Sequence, residues 1–216
     1  MTLNTMLVQL STGMMKSVGI FCWTLIFSLP LGLLVSFGRM SKNPVIRFLF
    51  KIYISIMRGT PLMLQLLVVF YGPYYLFGMS IGGAYRYIAI LIGFSVNYAA
   101  YFAEIYRSGI ESMPAGQYEA ARILGYNKVQ TFGKIILPQV IKRILPAVTN
   151  EVITLVKDTS LAFALVYMEM FSIAKQIAAA ETTMMPFVIA GIFYYIFNLL
   201  VATMMEWLEK KLSYYR

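Results

Sequence analysis

The sequence has no histidine and a single cysteine among its 216 residues. The lack of histidine excludes imidazole-based catalysis and histidine metal ligation. Cys22 alone can form neither an intramolecular disulfide nor a multi-cysteine zinc site. Charge is scarce as well, since 12% of the residues are charged against about 25% in ordinary soluble proteins. With 60% hydrophobic residues, this composition excludes a disordered chain and indicates an integral membrane protein.

The sequence also lacks a phosphate-binding loop. Its only Gly-Lys pair is Gly133-Lys134, and neither the spacing upstream nor the following Ile135 fits the P-loop pattern. We therefore expect no ATP hydrolysis, no enzyme activity, no cofactor and no metal site in this chain. The net charge of +9 would favour nucleic-acid binding in a soluble protein. Here the positions of the basic residues along the chain explain the net charge better, and we expect no nucleic-acid partner.

Five segments are apolar enough to cross a membrane, for which about 20 residues are needed. The predicted spans are residues 18–37, 59–85, 87–103, 144–170 and 182–205. Four of them carry no charge, whereas the fourth contains Glu151, Lys157, Asp158 and Glu169. The sequence thus predicts an all-α integral membrane protein with five transmembrane helices, folded as a single transmembrane domain over residues 1–216.

Basic residues give the orientation. Most of the 18 lie in three places: the connection after the first span, the loop after the third span, and the C-terminal tail. The positive-inside rule places these segments in the cytoplasm, with the N-terminus outside and the C-terminus inside. The first span is too long for a signal peptide and no cleavage-site pattern follows it, so we expect it to be retained. The predicted location is the cytoplasmic membrane.

The cytoplasmic loop of about residues 111–138 predicts two short helices. Gly125 suits the left-handed residue that ends the first helix. Asn127 can cap the second helix, with Gln130 at the capping-box position, and that helix is expected to end at Pro138. Two short helices here have two possible roles. They would form either a protruding knob that binds a partner protein, or a helical hairpin on the membrane surface that has no partner.

The same loop carries a family resemblance. Its segment EAARILGYNKVQTFGKIILPQ, starting at Glu119, resembles the EAA loop of permease subunits of ATP-binding cassette (ABC) importers. Three further motifs are similar to the polar amino-acid branch of that family, which transports histidine, arginine, glutamine and glutamate. They are RGTP at 58–61, AYFAEIYRSGI at 100–110 and KDTSL at 157–161.

The resemblance implies the protein's partners. It implies one half of a dimeric translocation path, completed by a second permease copy or a homologue. Glu119, Ala120, Ala121 and Gly125 would contact a separate ABC ATPase subunit, which would bind ATP and Mg and drive alternating access. An extracytoplasmic substrate-binding protein would deliver the amino acid.

Charged residues within the predicted spans indicate a polar cavity between the third and fourth spans. Glu151 and Asp158 are seven residues apart, so they share a helix face about 10 Å apart along the axis. Glu104, Asn97 and Tyr98 lie on the third span. Ionisable groups in a membrane usually face a protein interior or a water-filled cavity. We expect these five residues to contact the substrate.

The remaining expectations concern individual side chains. Leu67 and Phe70 of the second span are expected to line the aliphatic part of the cavity, and Asn97 to donate to a substrate carboxylate. The alternative is pairing within the chain, as for Glu104 and Arg107 at i, i+3. Glu169 is expected near the outer interface, in contact with solvent.

The leading hypothesis is the permease subunit of an ABC importer for cationic amino acids: arginine, lysine or histidine. Its basis is three acids, Glu104, Glu151 and Asp158, against one base, Lys157, in the expected pathway. A first alternative is glutamine or glutamate transport with Lys157 as the specificity residue. An ATP-independent carrier or channel, or a purely structural membrane subunit, are further alternatives.

Overall fold

The computed structural model describes residues 1–212, and over that range the backbone forms helices and no strand. The elements are α1 (Leu3–Arg39), α2 (Pro44–Gly59), α3 (Leu62–Phe77), α4 (Gly83–Glu111), α5 (Ala115–Ile123), α6 (Lys128–Gln130), a π-helical stretch (Thr131–Ile136), α7 (Leu137–Asp158), a 3-10 stretch (Thr159–Leu165), α8 (Met170–Glu181) and α9 (Met185–Leu212). The all-α prediction is confirmed.

Among these elements, α1, α4 and α9 are long and apolar enough to cross a membrane by themselves. They contain or overlap the predicted first, third and fifth spans. Two bent pairs add further candidates: α2 with α3, bent by 112°, and Lys128–Leu165 with α8, bent by 59°. By length and composition, the described part of the chain has three spans, or up to five if each bent pair is one span.

The second predicted span, residues 59–85, contains α3 but extends beyond both ends of that helix. α3 ends one residue before Gly78, which is left-handed with φ +64°, and a separate helix, α2, precedes it. Thr60 separates the two helices with an extended backbone, the conformation that a residue before proline prefers. The charges of Arg47 and Lys51 interrupt the apolar pattern of α2, and hydropathy therefore assigned α2 to a loop.

The fourth predicted span, residues 144–170, is also interrupted. α7 ends at Asp158, a 3-10 stretch follows, and Val166 has a positive φ of 54° before α8 starts in a new direction. The second loop helix does not end at Pro138, as predicted, but continues through the π-helical stretch into α7. Pro138 therefore lies inside a continuous helix, where it has no amide hydrogen to donate, and it follows directly after the π-helical stretch.

The bundle is centred where α1, α4 and α7 meet. Tyr98 and Phe102 of α4, Ile20 of α1 and Leu155 of α7 are all buried there. α1 approaches α4 closely at Gly32, where a Cβ would lie 2.9 Å from the Cβ of Phe102. This close approach requires glycine and fixes the position of α4 in the bundle.

The outward faces of the long helices are also apolar. Ile192, Leu199 and Leu200 on α9 and Leu34 on α1 each expose more than half of their surface. A helix that is hydrophobic on both its packed and its exposed faces is expected inside a large core or a membrane. Here the exposed faces suit lipid contact.

Candidate functional site

Two adjoining cavities lie between α4 and α7. The acidic cavity, of about 290 Å³, is lined by Thr60, Pro61, Leu62, Asn97, Tyr98, Tyr101, Glu151, Thr154, Asp158 and Leu161. The arginine cavity, of about 430 Å³, is lined by Arg58, Tyr101, Glu104, Ile105, Arg107, Ser108, Gly109, Ser112, Arg143, Ile144, Ala147 and Glu151. Tyr101 and Glu151 line both cavities, so these two side chains stand between them.

Four of the predicted site residues are brought together in the acidic cavity: Asn97, Tyr98, Glu151 and Asp158. Glu104 lines the arginine cavity instead. Leu67 and Phe70 line neither cavity. They pack in the core, where Phe70 stacks on Tyr85 with ring centroids 6.1 Å apart.

The two carboxylates of α7 differ in their contacts. Asp158, the last residue of α7, accepts a hydrogen bond of 2.7 Å from the hydroxyl of Tyr98, which is 2% exposed. Glu151 is partly buried and makes no hydrogen bond or ion pair with any of residues 1–212. Their predicted common face is confirmed, because both line the acidic cavity.

Asn97 is engaged within the chain. Its Nδ2 donates to the carbonyl of Met57 at 3.1 Å and to Oε1 of Gln65 at 2.9 Å. Gln65 in turn donates to the carbonyl of Met57 and to both oxygens of Thr60. In this conformation the Asn97 amide therefore does not donate into the cavity but helps hold the α2–α3 bend, which forms one cavity wall.

Sequence reasoning missed Gln65. The signal was present, because Gln65 is the only amide, acid or base between Leu62 and Phe77, the ends of α3. A lone polar residue in an apolar span needs a hydrogen-bond partner inside the protein. Here the partners are the carbonyls left free at the C-terminus of α2.

Glu104 forms an ion pair within the chain, which was the alternative to substrate contact. Its carboxylate is 2.6 Å from Nη2 of Arg107 and 3.9 Å from Nε of Arg39. Arg107 also pairs with Glu111, one turn further along α4. This group of charges ties the ends of α1 and α4 together.

The expected charge imbalance of the pathway was wrong. Arg58, Arg107 and Arg143 line the arginine cavity, whereas Lys157 is exposed and lines neither cavity. The guanidinium of Arg58 lies over the ring of Tyr101, 5.3 Å from its centroid. The sequence placed Arg58 in a loop outside the pathway, but α2 packs across α4 and carries it to the cavity.

The loop of residues 111–138 has several predicted features. Gly125 is left-handed with φ +78°, and Asn127 and Gln130 form the capping box. Glu119 and Ala120 are exposed, but Ala121 is 1% exposed and packs inside the chain. Ala121 therefore supports α5 from within rather than facing outward.

An apolar surface surrounds the tip of this loop. Ile123 is 86% exposed, Leu124 is 73% exposed and Val129 is 82% exposed. Exposed apolar surface rimmed by polar residues is typical of a protein interaction site. The knob therefore has a surface suited to a partner.

The expectation that Glu169 contacts solvent was wrong. Its side chain is fully buried and caps α8, accepting from the amides of Phe171 and Ser172 at 2.7 Å each. It also accepts from the hydroxyls of Ser17 on α1 and Tyr194 on α9. A buried carboxylate is tolerated when hydrogen bonds satisfy it, and here the donors come from three helices.

The side chains of the two cavities indicate which kind of ligand could bind there. Over residues 1–212, no three Cys, Asp or Glu side chains are grouped so that they could hold a metal ion. The polar groups of the two cavities are carboxylates, guanidinium groups, hydroxyls and the amide of Asn97. This set can bind a small charged ligand.

Comparison with known proteins gives consistent relatives. The family described as binding-protein-dependent transport system inner membrane component matches residues 28–214. A protein of Rickettsia bellii described as a glutamine transport system permease is 37% identical over 189 residues, 87% of this chain and 85% of that protein. The L-cystine transport system permease of Bacillus subtilis is 33% identical over 208 residues, 95% of this chain and 87% of that protein.

A solved structure has the same fold over its whole length. It is described as an amino acid ABC transporter with histidines, and it matches with a TM-score of 0.86 and 28% identity, over 98% of this chain and 100% of that one. The methionine ABC transporter in an inward-facing conformation matches in fold with a TM-score of 0.75 and 18% identity, over 99% of this chain and 100% of that one.

Proposed function

Because the chain belongs to the family of binding-protein-dependent transport system inner membrane components, as the permease subunit of an amino-acid ABC importer, we propose that its acidic cavity binds the transported amino acid. It is a multi-pass protein of the cytoplasmic membrane.

The observation that carries this proposal is the composition of the acidic cavity. Among residues 1–212, it is lined by two carboxylates, Glu151 and Asp158, and by no basic side chain. Glu151 makes no hydrogen bond or ion pair with any of residues 1–212, so its carboxylate oxygens are open to a ligand. A charge-assisted hydrogen bond to an ammonium or guanidinium group would satisfy it.

Cationic amino acids are the proposed substrates. The α-ammonium group and a cationic side chain would each find a carboxylate in this cavity, and Leu62 and Leu161 also line it, next to the aliphatic part of the ligand. Glu104 has no direct part in this proposal, because Arg107 and Arg39 already neutralise it.

Glutamine is the second candidate, and one observation favours it. The three arginines of the neighbouring cavity balance the acids of the wider pathway. A neutral amino acid would then place its ammonium group at Glu151 and its carboxylate towards Arg58.

The arginine cavity is the proposed route to the cytoplasm. It extends from Glu151 and Tyr101 to Ser112 and Arg143, next to the loop of residues 111–138. Arg143 donates to the carbonyl of Ser112 at 2.7 Å, which holds α7 against the end of α4. Movement of Tyr101 and Glu151 would connect or separate the two cavities.

The knob around α5 is the proposed contact for a separate ATPase. Glu119 and Ala120 on α5, with Ile123 and Leu124 at its end, present an exposed and mainly apolar surface. ATP and Mg would bind to that partner and not to this chain. A second permease copy or homologue and an extracytoplasmic binding protein complete the proposed importer.

Uptake of labelled arginine into proteoliposomes tests the substrate proposal. The vesicles hold this chain with its copurifying ATPase and its binding protein, and unlabelled lysine, histidine, glutamine or glutamate competes. We expect ATP-dependent uptake blocked by lysine or histidine, and a rise of about tenfold in KM for Glu151→Gln, the effect of losing one charge-assisted hydrogen bond. Glu206→Gln, on the exposed face of α9, is the matched control. Uptake of glutamine alone would select the second candidate.

Changes in the knob test the coupling proposal. Leu124→Glu should prevent copurification of the ATPase and abolish ATP-driven uptake, because it places a charge in the apolar contact. Deletion of residues 116–125 should do the same. Transport that survives this deletion would favour an ATP-independent carrier.

The proposed orientation, with the N-terminus outside and the C-terminus in the cytoplasm, has its own test. Leu124 and Met184 are both more than 70% exposed and lie in loops assigned to opposite sides. In a Cys22→Ser background, a membrane-impermeant thiol reagent added to intact cells should label Met184→Cys and not Leu124→Cys. The reverse pattern would invert the topology.

A further inference from the structure

Helix α2 has one face packed against the bundle. At 100° per residue, Phe50, Tyr53, Ile54 and Met57 fall on one side, where they pack with α1 and α4. The hydroxyl of Tyr53 donates to the carbonyl of Val96 in α4. α2 is therefore attached firmly along this face, and the rest of its surface is free within the described chain.

The free surface of α2 divides into two stripes of opposite character. Val45, Phe48, Leu49, Ile52 and Ile56 form an apolar stripe, each side chain 40% exposed or more. On the other side of the packed face, Arg47 and Lys51 lie one turn apart and are exposed.

The cations at this end of α2 have no hydrogen-bond or ion-pair partner in the described part of the chain. Arg47, Lys51 and the neighbouring Lys42 make no hydrogen bond or ion pair with any of residues 1–212. Arg58 lies on the same stripe but turns to Tyr101 at the cavity. Three unpaired cations thus gather in the first half of the helix and the turn before it.

This arrangement fits the boundary between hydrocarbon and headgroups. A helix surrounded by water would expose the apolar stripe to solvent, and a helix crossing the hydrocarbon would carry Arg47 and Lys51 into it at high cost. Helices that lie in the interface bury one apolar face and keep basic residues at the headgroups. The bend of 112° between α2 and α3 allows α2 to lie across the bundle while α3 runs along it.

We propose that α2 lies in the membrane interface and that Lys42, Arg47 and Lys51 bind the phosphate headgroup of an anionic phospholipid. The apolar stripe would then contact its acyl chains. The proposal rests on the membrane location of the chain but not on its substrate or its ATPase. Because α2 leads directly into Thr60 and Pro61 of the acidic cavity, a lipid bound here would support that cavity wall.

Tryptophan quenching by brominated lipid tests the proposal on the full chain. A single tryptophan is placed in the apolar stripe by Phe48→Trp, with Trp23→Phe and Trp207→Phe, and the protein is reconstituted in phosphatidylcholine with brominated phosphatidylglycerol. Brominated phosphatidylcholine in a parallel sample gives the neutral reference. The ratio of the two quenching curves gives the affinity for the anionic lipid relative to the neutral one.

We expect Lys42, Arg47 and Lys51 each to raise the preference for the anionic lipid about fivefold. Arg47→Gln with Lys51→Gln should therefore lower the ratio about 25-fold. Arg47→Lys with Lys51→Arg keeps the charge and should keep the preference. Lys16→Gln with Lys175→Gln removes two charges elsewhere and should leave the ratio unchanged.

Three results would overturn the proposal. They are equal quenching by both lipids in the parent protein, an undiminished preference in the double glutamine variant, and a tryptophan that neither lipid quenches. The last would mean that a second copy or another protein covers the stripe. None of these measurements involves uptake, so a failed transport assay would not affect the conclusion about lipid binding.

Discussion

Replacement of Glu169 by alanine should destabilise the bundle strongly, although the residue lies outside both cavities. The carboxylate accepts from the amides of Phe171 and Ser172, each at 2.7 Å, and from the hydroxyl of Tyr194 at 3.3 Å. Hydroxyl groups can turn to other acceptors, but the two amides cannot. A buried donor left without an acceptor costs about 1–3 kcal/mol, so we expect a loss of about 3 kcal/mol in the free energy of unfolding.

The measurement is reversible unfolding in mixed micelles with increasing sodium dodecyl sulfate, followed by tryptophan fluorescence. Glu169→Gln should give a smaller loss, because it keeps one acceptor oxygen. Glu181→Ala is the matched control at the other end of α8. Glu181 is partly exposed and pairs with the N-terminal ammonium at 2.8 Å, and such a pair contributes at most about 1 kcal/mol. Equal losses for Glu169→Ala and Glu181→Ala would refute the reasoning.

Three further substitutions probe the helix junctions and the loop. Gly13→Ala should cost about 1–3 kcal/mol in the same unfolding assay, because the new Cβ would lie 2.7 Å from a backbone atom of α8, whereas Gly191→Ala, with open space around it, should be neutral. Gln65→Leu should cost about 1–3 kcal/mol by removing an acceptor from the buried Asn97, and no loss would mean that the α2–α3 bend does not depend on this contact. Gly125→Ala should strain the left-handed residue after α5 by about 1–2 kcal/mol, seen as faster amide exchange in residues 115–124, and unchanged exchange would contradict it.

The sequence predicted the parts of the fold that depend on local composition. The uncharged segments 18–37 and 87–103 lie inside α1 and α4, because a long apolar run has few alternatives to a spanning helix. α2 was not predicted, because Arg47 and Lys51 lower its mean hydropathy. One of its faces is nevertheless packed against the bundle. The break after α7 was hidden too, because Val166 takes a left-handed conformation that the sequence does not mark with glycine or proline.

The candidate site was also predicted only where it depends on local sequence. Glu151 and Asp158 follow from helical spacing, a local property. The role of Glu169 depends on Ser17 and Tyr194, which are distant in the sequence, and Arg58 reaches Tyr101 through the packing of α2 on α4. Tertiary contacts of this kind leave no periodic pattern in the chain.

The unbroken helix from the capped turn at Lys128 to Asp158 has a mechanical consequence. At 1.5 Å per residue, these residues form a lever about 45 Å long, with Asn127 near one end and the acidic cavity near the other. A tilt of about 10° around one end would displace the other by roughly 8 Å. In the proposed cycle, a small rotation of the knob would thus displace Asp158 by a distance comparable to the size of an amino acid. The helix itself would transmit this motion, without a series of side-chain rearrangements.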